Sequence, residues 1–175
     1  MSWLFASHEK KISPTQQLQA ELCKIDRPLP QRAVHLSVLK TIERELRLRG
    51  FFGNGVEQAM PLWFLAETER NVFLWRKGLS IDDAHEFEFW VDVPSLIEKR
   101  RKHLERCDGF NPFINESPAE TGAEQELRYL DIIEELGESV IDNAAIISRA
   151  SQALQHELDP GAAQRAIVVL PYRGG

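Results

Sequence analysis

Five carboxylates recur along one stretch of the chain: Asp131, Glu134, Glu135, Glu138 and Asp142 stand at i, i+3, i+4, i+7 and i+11. On a helix of about 3.6 residues per turn this spacing gathers all five on one side, opposite Tyr129, Ile132 and Leu136. A row of oxygen donors suits a hard cation such as Mg²⁺ or Mn²⁺. The rival use of the same row is electrostatic. Residues 95–107 carry five basic side chains (Lys99, Arg100, Arg101, Lys102 and Arg106) against Glu98 and Glu105, whereas residues 116–142 carry nine acidic ones against Arg128. Paired antiparallel, two such helices offset each other's charge within one molecule. Exposed ion pairs contribute little stability each, so their value lies in orienting the helices. The charge balance favours this second use.

The run Glu134-Glu135-Leu136-Gly137-Glu138 resembles the second acidic helix of the all-α nucleotide pyrophosphohydrolases, over a small part of the chain. The resemblance implies Mg²⁺ held between two Glu-rich helices and hydrolysis of nucleoside triphosphates to monophosphates. That family carries a Glu-x-x-Glu pair on an upstream helix, and Glu43, Glu45, Glu67, Glu69, Glu124 and Glu126 form none here. Gly137 also interrupts the acidic helix.

Other constellations stop short of a site. His103 and Cys107 are spaced as two ligands of a zinc site that takes four, or three and a water. Asp82-x-x-His85 and His85-x-x-Glu88 supply half of a di-iron carboxylate pattern. His35 lies on an apolar stripe and reads as a core or boundary residue. Gly53-Asn54-Gly55 lacks the lysine and the spacing of a phosphate loop, and there is no nucleophile elbow or dinucleotide fingerprint. Asn111-Pro112-Phe113 matches a docking tripeptide of eukaryotic adaptor domains. The end, Arg173-Gly174-Gly175, is similar to the conjugation tail of ubiquitin-like modifiers, without the β-grasp body before it.

No complete catalytic set assembles. The leading expectation is therefore a cytosolic protein-binding or regulatory protein without catalysis, its partner another protein. The alternative is an Mg²⁺- or Mn²⁺-dependent nucleotide phosphohydrolase using the carboxylates of 131–142. Arg100 and Arg101 are the candidate partner contacts: consecutive residues are turned by about 100°, which leaves at least one toward solvent, and arginine is favoured at interface hot spots. A homo-oligomer is compatible with either reading.

The totals bound these readings. A net charge of −6 argues against general nucleic-acid binding, which needs a cationic surface. Two cysteines, Cys23 and Cys107, make no disulfide framework and point to a reducing cytoplasm. No apolar run approaches the roughly 20 residues of a membrane span. The 175 residues suit one domain, with 1–12 as an arm and 159–175 as a tail.

The elements that must position these groups are mostly helices. Ser13-Pro14 opens one to about Lys24, and Arg27-Pro28-Leu29-Pro30 breaks the chain. The stripe His35, Val38, Leu39, Ile42, Leu46 predicts a helix over 31–49, capped by Gly50. Residues 61–77 predict a helix capped by Gly78. The Ser80-to-Asp83 capping box favours another helix to about Asp92, against a hairpin within 72–93 suggested by the alternation of Phe87, Phe89, Val91 and Val93. Pro94 opens a helix to about Cys107, residues 109–122 are a connector, and helices follow at 122–136 and 139–158. The second of these presents Val140, Ala144, Ile147, Ser151 and Leu154 as its apolar stripe. Ala166–Leu170 is β-prone. The expected fold is a mainly α single-domain bundle of six or seven helices with a short C-terminal strand. Its core is expected around Trp63, Phe64, Phe73, Trp75, Phe87, Phe89 and Trp90.

Overall fold

A strand that the sequence reading places in a helix runs through the middle of the molecule. The structure, a computed structural model, describes residues 12–24, 28–108, 122–161 and 165–173, and the side chains of 107, 108 and 138 fall outside that description. In order, the elements are α1 (Pro14–Cys23), β1 (Ala33–His35), α2 (Leu36–Leu48), α3 (Leu62–Arg76), a 3-10 helix (Ile81–Glu86), β2 (Phe87–Asp92), α4 (Val93–Asp108), α5 (Gly122–Glu135), a π turn (Gly137–Ile141), α6 (Asp142–Leu158) and β3 (Ala166–Leu170). The protein is mainly helical, as expected, but it is built on a small mixed sheet rather than as a pure bundle. β2 is central, antiparallel to β1 (Val34 opposite Val91) and parallel to β3 (Phe89 opposite Val168).

The capping box at Ser80 and Asp83 forms, yet it opens only the 3-10 helix. The helix expected to Asp92 is therefore corrected to a strand from Phe87. The hairpin reading also fails, because β2 pairs with β1 and β3, both remote in sequence. Five of the six β2 residues are buried. Phe87 and Phe89 pack edge-on against Phe73 of α3, with centroids 6.5 and 6.0 Å away, while Glu88 reaches Gln152 and His156 of α6 on the other side. Burial on both faces overrides the local helical signal. The helix expected from Gln31 likewise begins later, at Leu36, since Ala33–His35 are taken into the sheet. The C-terminal strand is present as β3.

The punctuation holds where backbone geometry demands it. Ser13 forms a full capping box with Gln16. Gly50, at φ 68°, ends α2 with Gly50 N donating to Arg47 O and Phe51 N to Leu46 O, both at 3.0 Å.

Two expectations about burial fail. Of the seven large aromatics, Phe64 and Trp75 stand outside the core, at 44% and 78% exposure. In α6, the inward residues are Ala144, Ala145 and Ser148; Ile147, Leu154 and Leu158 are exposed. The helix is rolled by roughly a quarter turn from its expected setting. Polar pins explain the roll. Ser148 Oγ accepts from His35 N (3.0 Å) and donates to Ala144 O (2.7 Å). Arg149 donates to Gln31 O and Pro30 O (3.0 and 2.9 Å), and Gln152 Nε2 donates to Glu88 (2.9 Å). Each would leave a buried or half-buried group unpaired if the apolar stripe turned inward.

No helix among the described residues is long and apolar enough to cross a membrane. The Asn111-Pro112-Phe113 tripeptide, Trp3 to Phe5 and Gly174-Gly175 lie outside the described residues.

Candidate functional site

The carboxylate row is divided among arginines. Arg101 of α4 reaches Asp131 at 2.6 Å and Glu134 at 2.7 Å, both on α5. Arg100 makes a two-pronged contact with Glu126, Nε at 2.6 Å and Nη2 at 2.8 Å. Burial by itself lowers the Arg101 pKa, but the hydrogen bonds and charges of Asp131 and Glu134 outweigh it and raise the value. Asp142 belongs to a separate pair with Arg32 at 3.0 Å, beyond the π turn that interrupts the helical register between α5 and α6. Glu135 is exposed. Among the described residues, no three His, Cys, Asp or Glu side chains converge as a metal cluster. Ion pairing with α4 is thus what the described geometry uses Asp131 and Glu134 for. Both candidate partner arginines point onto α5.

The most buried carboxylate among the described residues is one that the sequence marks only as lacking a Glu-x-x-Glu partner. Glu43 of α2 is 3% exposed. Its carboxylate accepts from Leu62 N at 2.8 Å, Trp63 N at 2.7 Å and Tyr129 Oη at 2.5 Å. The N-terminus of α3 has Pro61 at its cap with no side-chain hydrogen bond of its own, so a residue from another helix caps it. Arg47, one turn along α2, stacks over the Tyr129 ring at 4.7 Å and donates to Val56 O and Ala59 O. Burial raises the Glu43 pKa, against the pull of its three donors and Arg47; burial and the adjacent Glu43 raise that of Tyr129. The set ties α2, α3, α5 and the 51–60 loop together. Its contacts all join one element to another within the protein, which makes it a structural joint. A start at Pro61 with no Ser, Thr, Asp or Asn before it was the available sign that a cap must come from elsewhere.

A second cluster surrounds Glu88. Its buried carboxylate meets Gln152 Nε2 and, at 3.3 Å, His156 Nε2. His35 packs edge-on to Trp90 at 5.5 Å. Its Nδ1 accepts from Ser37 N, capping α2, which sets the proton of the neutral ring on Nε2. Burial lowers the His35 pKa, partly opposed by Glu88. His85, paired with Glu88 in the di-iron reading, instead faces out and contacts Asp82 O and Glu86.

The surface that stands out lies on α3. Phe64, Thr68, Asn71, Val72 and Trp75 fall on one side of that helix, at steps of three, four and one, opposite the buried Leu62, Leu65, Ala66 and Phe73. Beside this row opens a cleft of about 460 Å³ lined by Thr68, Glu69, Val72, Phe73, Arg76, Lys77, Lys99 and Tyr172. The acids nearby are already matched: Glu69 with Lys99 at 2.5 Å and Glu67 with Lys40 at 3.1 Å. Lys77 lies 5.4 Å over the Tyr172 ring. Arg76, exposed at the lip, has no ion-pair partner among the described residues. An apolar strip with a fully presented indole therefore borders an aromatic-floored, net-cationic cleft. Its composition of Trp, Tyr and Arg is that of interface hot spots.

No family model, curated protein or solved structure matches this chain.

Proposed function

We propose that this protein is a non-catalytic binding protein whose α3 face captures an acidic segment of a partner protein carrying an apolar or aromatic anchor. The observation that carries the reading is Trp75, 78% exposed beside the Arg76, Lys77, Lys99 and Tyr172 cleft. A monomer gains nothing in stability from leaving a tryptophan in water, since burying an apolar side chain contributes about 1.5–3 kcal/mol. Held next to Arg76, which has no ion-pair partner among the described residues, it suits a partner that buries the indole and supplies a carboxylate to Arg76. The face differs from the one expected at Arg100 and Arg101, whose guanidinium groups are engaged by α5. The test is a random peptide display library panned on the wild-type protein and counter-selected on Trp75→Ala/Arg76→Glu. The expected survivors combine acidic residues with an aromatic or large aliphatic anchor and bind more weakly as salt rises. Survivors with no acidic bias, or equal recovery on both proteins, would overturn the reading.

A further inference from the structure

Glu43 borders a void that its own hydrogen bonds leave dry. Against the π turn, between it and α2, lies a cavity of about 30 Å³ whose wall is apolar throughout. Twelve of its thirteen lining residues are apolar, among them Val34 of β1, Ile42 and Leu46 of α2, and Leu136, Val140 and Ile141 at the π turn. The thirteenth is Glu43, whose oxygens are engaged elsewhere by Leu62 N, Trp63 N and Tyr129 Oη. A water molecule needs about 10–15 Å³ and also two to four polar partners; the room is there and the partners are not. Closing the gap would pull against buried hydrogen bonds. The Glu43 carboxylate fixes α2 against α3 and α5, and Ser148 fixes α6 against β1.

We infer that this cavity is a binding site for a single non-polar molecule of about one or two heavy atoms, a dissolved gas or a methane-sized hydrocarbon. Size sets the class. A dry cavity of about 150 Å³ lined by Leu, Ile and Phe takes benzene or xenon, and this one, at about a fifth of that volume, has no room for a ring. The bound molecule supplies the dispersion contacts that the lining lacks across the gap. Ile42, Leu46, Leu136 and Val140 are half-buried, whereas Val34, Ile133 and Ile141 are buried, so the way in is the seam between α2 and the π turn. That turn closes through Asp142 N to Gly137 O, one residue wider than an α-helical turn, and rotamer changes of the four half-buried side chains open the seam. The site is separate from the α3 face, because Leu62 lines it from the buried side of that helix.

Xenon, monatomic and non-polar, is the probe. Methyl NMR spectra of the full chain under rising xenon pressure should show saturating shifts at Ile133, Leu136 and Ile141, while Ile167, which does not line the cavity, stays unmoved. Val34→Ile adds one methylene to the void, close in size to a water molecule, whose share of liquid volume is about 30 Å³. It should raise the half-saturating pressure at least threefold. Val140→Ile fills the same space from a half-buried position, so the comparison survives if the first variant folds poorly. Nuclear Overhauser effects from water to the Ile133 and Ile141 methyls should be absent. Shifts that rise linearly with pressure, or that saturate equally in the folded filled variants, would overturn the inference. So would water contacts at those two methyls, which would show the void to be hydrated.

Discussion

Glu43→Ala removes the cap of α3 and the acceptor of Tyr129 in one step. Three donors lose their partner: Leu62 N, Trp63 N and Tyr129 Oη. Trp63 is only half-buried, so water can reach the vacated side of its amide; Leu62 N and Tyr129 Oη are enclosed. Two enclosed, unsatisfied donors cost about 1–3 kcal/mol each, so the loss is about 4 kcal/mol. For a chain of this size each kcal/mol moves the melting point by about 2–4 °C, which predicts a fall of roughly 8–16 °C. Glu43→Gln keeps the volume and one acceptor oxygen but turns an amide NH₂ toward a donor, and should cost about half as much. The pH dependence gives an independent sign. Burial raises the Glu43 pKa above its ordinary 4.5, so between that value and the raised one the folded protein holds a proton that the unfolded chain has released. Stability from this group is complete below about pH 4.5 and is lost as pH rises through the raised value. The advantage of wild type over Glu43→Gln should therefore shrink with rising pH in denaturant titrations. A Glu43→Ala loss below about 1 kcal/mol would show that water caps α3 equally well, and an advantage that grows with pH would show that the donors outweigh burial.

Three further outcomes follow from the same geometry. His35 has its pKa lowered by burial and accepts from Ser37 N through Nδ1, so protonation breaks the α2 cap; stability should fall as pH drops below about 6.5 toward the lowered value, and His35→Asn, which caps without titrating, should flatten that part of the curve. Arg100→Ala strands the buried Glu126 and should cost about 3 kcal/mol by chemical denaturation, whereas Arg101→Ala faces two exposed carboxylates and should cost less than about 1 kcal/mol; equal losses would contradict the difference in burial between the two pairs. Glu135→Gln should change stability by less than about 0.5 kcal/mol, and because Asp131, Glu134 and Asp142 are paired with arginines, millimolar Mg²⁺ should leave the melting point unmoved; a rise of several degrees, lost in Glu135→Gln, would reassign the row to a metal.

What was legible in the chain is what local chemistry decides. The caps at Ser13, Gly50 and Gly78 and the helix beginnings near Pro14 and Pro94 depend on backbone groups within a few residues, and the structure places them as read. The opposed charges of α4 and α5 were legible because their totals admit one economical pairing. The strand at Phe87–Asp92 was not, since the capping box before it is genuine and the partners that extend it, Ala33–His35 and Ala166–Leu170, are remote. Glu43 was hidden for a related reason: a glutamate beside Ile42 on an amphipathic helix looks like a boundary residue until α3 and Tyr129 arrive around it. Phe64, Trp75, Ile147 and Leu154 show the limit from the other side. Their types and spacing are those of core residues, and only the polar pins and the aromatic packing of Phe73 reveal which apolar stripe faces inward.

The proposal for α3 comes down to one comparison. A peptide recovered from the display selection should be titrated by anisotropy against wild type, Trp75→Ala and Arg76→Glu, with circular dichroism confirming that each variant keeps its fold. Loss of a hot-spot tryptophan costs about 2 kcal/mol or more. The account therefore predicts at least a tenfold weakening by Trp75→Ala, and a weakening by Arg76→Glu that diminishes as salt is raised from about 50 to 500 mM. Affinity unchanged in both folded variants would contradict it.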